Sequence, residues 1–143
     1  MKDLYEFEVK KLSDLSEYAT NSRTHSKEQL NQIARSIKKF GFTNPILVDE
    51  KNTIIAGHGR MYAARQLGIK QVPCIVVTGL EESDKAALVM ADNKLAENAN
   101  WDNDALHSEL SFLKELDYDL SLIGFSEDEL ETIFDEPEDV VPP

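Results

Sequence analysis

A chain of 143 residues, 41% of them hydrophobic, can bury one respectable core and hardly two, so one main domain is expected. No apolar run reaches the roughly 20 residues that span a bilayer, and the first residues lack a signal peptide's apolar stretch; the chain reads as cytoplasmic, with no membrane segment. The net charge is -12 but is unevenly laid out: residues 1–80 carry 12 Lys/Arg against 8 Asp/Glu, net +4, and residues 81–143 carry 3 against 19, net -16. An acidic half can be a solvated face, or it can repel DNA from one side while the basic half meets it, so direct DNA binding is expected to be weak.

In chain order, Tyr5-Glu6-Phe7-Glu8-Val9 alternates apolar and polar residues as a strand does. An irregular stretch through Leu12 and Leu15 leads to Ser26, an N-cap with Gln29 three residues on, and a helix whose apolar face is Leu30, Ile33, Ala34 and Ile37 until Gly41 stops it. Pro45–Asp49 and Thr53–Ala56 read as two strands around a Glu-Lys-Asn turn, followed by a helix that ends at Gly68 and a strand from Val72 to Val77. Cys74 falls on the inward alternation of that strand; as the only cysteine it excludes a disulfide framework and a cysteine zinc site.

The β-α-β-β-α-β order predicts an α+β fold, a small mixed β-sheet with helices, over residues 1–80. Residues 81–134 read as a helical C-terminal subdomain. It has a mostly buried helix from Glu82 to about Asn98, a helix capped by Asp102 with a Leu106, Leu110, Leu113 and Leu116 stripe, and a short helix with a Ser26-like capping box at Ser126 and Glu129. Trp101 is expected in the core between helices, and His107 on the surface. Residues 135–143, acidic and rich in proline, have the composition of a linker or tail.

Chemistry points to Ala56-Gly57-His58-Gly59-Arg60, between a strand and an alanine-rich helix. Glycines let the backbone approach an anion, a helix start offers unpaired N–H groups, and Arg60 adds a forked cation. On this pentapeptide alone, a phosphate cradle and an ordinary tight strand-to-helix turn are about equally good readings.

Three stretches together resemble the ParB-like (ParB and sulfiredoxin type) domain family: Asn21–Ser26 with Gly41–Ile46; Ile55–Arg60 with Ala63, Ala64, Leu67 and Gly68; and Ala91–Asn98. The resemblance covers roughly residues 5 to 100. Within that family the Gly-His-Gly-Arg box, the Ala-Asp-Asn-Lys-Leu-Ala-Glu-Asn-Ala-Asn-Trp-Asp run and the Leu-Ile-Gly-Phe-Ser-Glu-Asp-Glu-Leu ending look like the N-terminal domain of phage and prophage DNA-modification methyltransferases. His58 stands where the partition proteins have an acidic residue, and Asp92-Asn93 keeps the acid and amide of their later motif without its Gln and Arg. No cysteine stands in the central box, which excludes sulfiredoxin chemistry.

The resemblance implies a nucleotide- or phosphate-binding module made of Arg23, His25, Gly57, His58, Gly59, Arg60 and Asn93, with CTP or ATP as ligand. A magnesium ion could be held by Asp92 and phosphate oxygens, against the equally good reading of a merely polar helix end. S-adenosylmethionine enters only if a methyltransferase domain follows, because no catalytic motif of that chemistry lies in these residues. The expected partners are DNA, directly or through such a domain, and a second copy in a homodimer. Two alternatives stay open: a nucleotide hydrolase, phosphotransferase or nuclease of the ParB-like family, and a dimerising protein-interaction module.

Overall fold

The computed structural model describes residues 4–18, 24–98 and 100–135. It divides into two units, residues 1–99 and 100–143. The break expected near residue 80 differs from this one, because the helix after Glu82 packs on the sheet and belongs with the first unit.

In the first unit, β1 (Glu6–Lys11), β2 (Ile46–Val48), β3 (Ile54–Ala56) and β4 (Gln71–Val76) form a four-stranded sheet in the order β1-β4-β2-β3. β1 runs antiparallel to β4, β4 parallel to β2, and β2 antiparallel to β3, giving the mixed sheet of an α+β fold. Strand alternation sorts the side chains. Ile46, Val48, Ile54, Val72 and Cys74 share one core with Met61 and Ala64, whereas Ile55 and Val77 join Val89 in another. Fully buried branched residues of this kind each contribute about 1.5–3 kcal/mol.

α1 (Lys27–Phe40) starts where Ser26 and Gln29 close a capping box, with Ser26 Oγ accepting from Gln29 N at 3.1 Å and Gln29 Oε1 from Ser26 N at 3.2 Å. It ends at Gly41, whose positive φ of 80° suits glycine and whose N–H donates to Ile37 O. α1 packs its Ala34 and Ile37 on Ala63 of α2 (His58–Gln66), with Ile33 and Leu67 around them.

α3 (Glu82–Asn98) buries Lys85 and Val89 against the sheet side of the first unit, with Leu88 packed beside Val89. The expected mostly buried helix is therefore corrected: Met90 and Leu95 are both 68% exposed. Lys85 is buried between Asp49 at 3.3 Å and Glu82 at 3.4 Å, with Glu50 at 3.6 Å. Asp49 also accepts from the backbone N–H groups of Lys51 and Thr53, both at 2.9 Å. Burial opposes both charges, yet these bonds win: the Asp49 carboxyl lies below its ordinary value and the Lys85 ammonium above its own.

The second unit holds α4 (Asn103–Glu115), a 3-10 turn at Leu120–Ile123 and α5 (Glu127–Asp135). Asp102 caps α4 by accepting from Ala105 N at 3.2 Å, and Ser126 and Glu129 form the expected box on α5. Leu106 and Leu110 are buried, whereas Leu116 at the end of the stripe is exposed. His107 is half-buried, its ring edge-on to Phe134 at 5.8 Å and Lys114 over the same ring at 4.5 Å. Trp101, expected in the core, is 65% exposed and only leans on Phe125, ring centroids 5.7 Å apart. Residues 136–143 of the expected linker lie outside the described residues.

Candidate functional site

β3 ends at Ala56, and Gly57 turns the chain into α2 with φ 100° and ψ 24°, a left-handed conformation that costs glycine little. The helix's first bond runs from Met61 N–H to Gly57 O at 2.9 Å. The N–H groups of His58, Gly59 and Arg60 thus have no carbonyl within the helix, and the positive end of the helix dipole lies with them. A cavity of about 310 Å³ opens there.

Both glycines have a steric reason. A Cβ on Gly57 would lie 3.0 Å from Arg60 Nη2, and one on Gly59 would lie 3.0 Å from both His25 Cε1 and Ile33 Cδ1. Gly59 therefore lets His25 and α1 close against the start of α2. The His25 ring also stands edge-on to Tyr62 at 6.2 Å, and Tyr62 Oη donates to Glu17 at 2.8 Å, a bond that raises the Tyr62 pKa.

Arg60 folds back under Gly57 and donates from Nη2 to Pro45 O at 3.0 Å. Its Nε is buried without a hydrogen-bond partner among the described residues. An unmade bond of that kind costs about 1–3 kcal/mol, so a ligand acceptor at this point would be stabilising. Burial pulls the guanidinium below its ordinary value, and the Asp92 carboxylate works against that shift. Asp92 and Asn93 reach the cavity wall from α3, more than thirty residues along the chain.

His58 plays a double part. Its ring is 6% exposed and its Nε2 accepts from Tyr18 N at 3.4 Å, tying the segment after β1 to the helix start. Burial pushes the imidazole pKa down, with Glu17 opposing and His25 reinforcing the shift. The ring is used structurally, which leaves the backbone N–H of His58 for an anion.

The structure thus brings together His25, Gly57, His58, Gly59, Arg60, Asp92 and Asn93. Arg23 lies outside the described residues. Ser36, Phe42, Thr43 and Asn44 line the same cavity and were not picked out as site residues. Phe42, Thr43 and Asn44 belong to the Gly41–Ile46 stretch, which carries the resemblance but offers no charged group, whereas Ser36 lies in α1. Among the described residues, Asp92 is the only carboxylate on the cavity wall, and no three His, Cys, Asp or Glu side chains converge as a metal cluster.

The model of the ParB N-terminal domain matches residues 2–94. The chain belongs to the ParB N-terminal domain family. Residues 104–143 of this ParB-like chain match a second model, the ParB-methyltransferase HTH domain, so the helical second unit and the proline-rich end fall within one domain model. A "ParB-like nuclease domain-containing protein YnaK" of Escherichia coli K12 is 57% identical over 74 residues, 52% of this chain and 85% of that one. The "Probable chromosome-partitioning protein ParB" of Vibrio cholerae is 38% identical over 79 residues, 52% of this chain but only 27% of the relative.

Among solved structures, a C-terminally truncated chromosome-partitioning protein ParB from Caulobacter crescentus complexed with CTP-gamma-S shares the fold at a TM-score of 0.74 and 21% identity, over 90% of this chain and 76% of that one. Sulfiredoxin from Arabidopsis thaliana shares it more distantly, at a TM-score of 0.50 and 20% identity, over 58% of this chain and 97% of that one. No helix among the described residues is long and apolar enough to cross a membrane.

Proposed function

We propose that the cavity at the start of α2 binds the phosphates of a nucleoside triphosphate, CTP or ATP, and that the chain is a regulatory or DNA-targeting module of a DNA-modifying methyltransferase. The observation that carries this reading is the helix start itself: three N–H groups, a left-handed glycine and a buried guanidinium with an unused Nε around one cavity. His25, and Arg23 from the preceding loop, would add donors to the phosphate oxygens. Asp92, with Asn93 beside it, would hold a magnesium ion shared with those oxygens, since magnesium often takes only one or two carboxylates. That ion would supply charge neutralisation.

A nucleoside triphosphate fits because the backbone N–H groups of His58, Gly59 and Arg60 and the Arg60 guanidinium all donate, and among the described residues Asp92 is the one carboxylate on the cavity wall. CTP is the first ligand to try, given the Caulobacter crescentus ParB solved with a CTP analogue. The link to DNA modification is supported by the ParB-methyltransferase HTH match, through which DNA would be met by the second unit and S-adenosylmethionine by an attached methyltransferase domain. A homodimer is the further partner that this family membership suggests. A nuclease, raised by the name of the Escherichia coli relative, would want clustered carboxylates for its metals, and the cavity wall carries one.

Calorimetric titration with CTP, ATP and their diphosphates, with and without magnesium, tests the reading. Saturable binding of a triphosphate by the wild type and its loss in Arg60→Ala, with the variant still folding cooperatively in a thermal melt, is the expected result. Equal affinity in the two proteins would remove Arg60 from the site and leave the cavity a scaffold.

A further inference from the structure

Three cations that the cavity does not use gather by the C-terminal end of α2. Lys11 ends β1, Arg65 sits in the last turn of α2, and Lys70 immediately precedes β4. The β1–β4 register sets Lys11 opposite Gln71, and Leu12 N–H donates to Lys70 O at 2.9 Å, which holds the two lysines on neighbouring strands. Two surface clefts of about 400 and 350 Å³ adjoin there and share Ser13 and Lys70; Lys11 and Gln71 line the first, Arg65 the second.

All three cations are exposed, and none pairs with a carboxylate among the described residues; Arg65 only faces the Tyr62 ring at 5.9 Å. Asp14, next to Ser13, lines neither cleft. All three lie in residues 1–80, whose net charge is +4 in a chain whose net charge is -12. Like charges held close are unfavourable until an anion offsets them.

We infer that these clefts are a contact surface for the phosphodiester backbone of duplex DNA, separate from the nucleotide cavity. Lysine, arginine, a serine hydroxyl and a glutamine amide are the donors that hold phosphate and sugar without reading bases. Among the described residues no aromatic side chain lines either cleft, which disfavours stacking on the bases of a single strand. The surface would add sequence-independent affinity and fix the first unit on DNA whose sequence is read elsewhere.

The test uses the full chain and a labelled 20-base-pair duplex of arbitrary sequence, followed by fluorescence anisotropy over a potassium chloride series. The triple variant K11Q/R65Q/K70Q should bind at least about tenfold more weakly at low salt. Its plot of log affinity against log salt should flatten by about 2–3 units, since each lost phosphate contact removes about 0.9. The conservative K11R/K70R should keep wild-type binding, and a melting curve should show the triple variant folded. Arg60→Ala, which strips the nucleotide site, should bind the duplex as the wild type does, so the two readings fail separately. Wild-type affinity and slope in the triple variant would overturn the inference. So would polyglutamate displacing the duplex at matched charge concentration in the wild type but not in the triple variant, which would assign the clefts to an acidic protein surface.

Discussion

At Gly59, a methyl group would lie 3.0 Å from both His25 Cε1 and Ile33 Cδ1, so the ring and the α1 side chain that line the cavity would have to give way by a few tenths of an ångström. Gly59→Ala should therefore weaken triphosphate binding by at least about tenfold while lowering stability by about 1–3 kcal/mol, as read by titration and denaturant melting. A variant with full affinity would mean that close approach at this helix start does not matter. His58 gives a pH signature. Its folded pKa is depressed, so the unfolded chain takes up the proton first: the stability is fully present above the ordinary value of about 6.5 and is lost as pH falls through the folded pKa. The melting temperature of the wild type should drop on going from pH 7 to pH 5, and His58→Gln, whose side-chain oxygen can still accept from Tyr18 N, should drop less. Parallel profiles would show that another group governs the acid limb.

Among the elements, those with local chemical signals were legible in the sequence. Ser26 and Gln29, Asp102, and Ser126 and Glu129 announce helix starts because a cap is a contact between residues three apart. Ser26→Ala should cost about 1 kcal/mol in a chemical melt. Removing the charge of Asp49 should cost more than that cap, because Asp49→Asn leaves buried Lys85 without its nearest counter-charge; a smaller loss of melting temperature than in Ser26→Ala would refute this. That ion cluster was not legible, since Asp49 and Lys85 meet only through the packing of α3 on the β2–β3 turn. The burial of α3 was misread for the same reason. Ala86, Ala87, Met90 and Leu95 have core composition, but the residues of the helix that are buried are Lys85 and Val89, and which positions face the sheet is decided by tertiary contact. Trp101 is the same case in the second unit: its size suits burial, yet it is 65% exposed beside the Phe125 ring.

For the whole molecule, the strand and helix order of the first unit followed from alternation and turns, whereas the break between units did not, because composition shifts near residue 80 while packing carries α3 into the first unit. The site was half legible. Gly57, Gly59 and Arg60 lie within four residues and declare a helix start, but the Pro45 carbonyl that steers Arg60 and the Asp92 and Asn93 wall come from distant segments, visible beforehand only through the resemblance. The central claim is that the backbone at the start of α2 holds phosphate. It is tested most directly by two-dimensional 15N–1H spectra of the full chain titrated with CTP and then ATP in magnesium. The amides of His58, Gly59 and Arg60, with the Arg60 Nε–H, should shift together and saturably with one triphosphate. Shifts confined to other residues, or none at all with either nucleotide, would contradict the account.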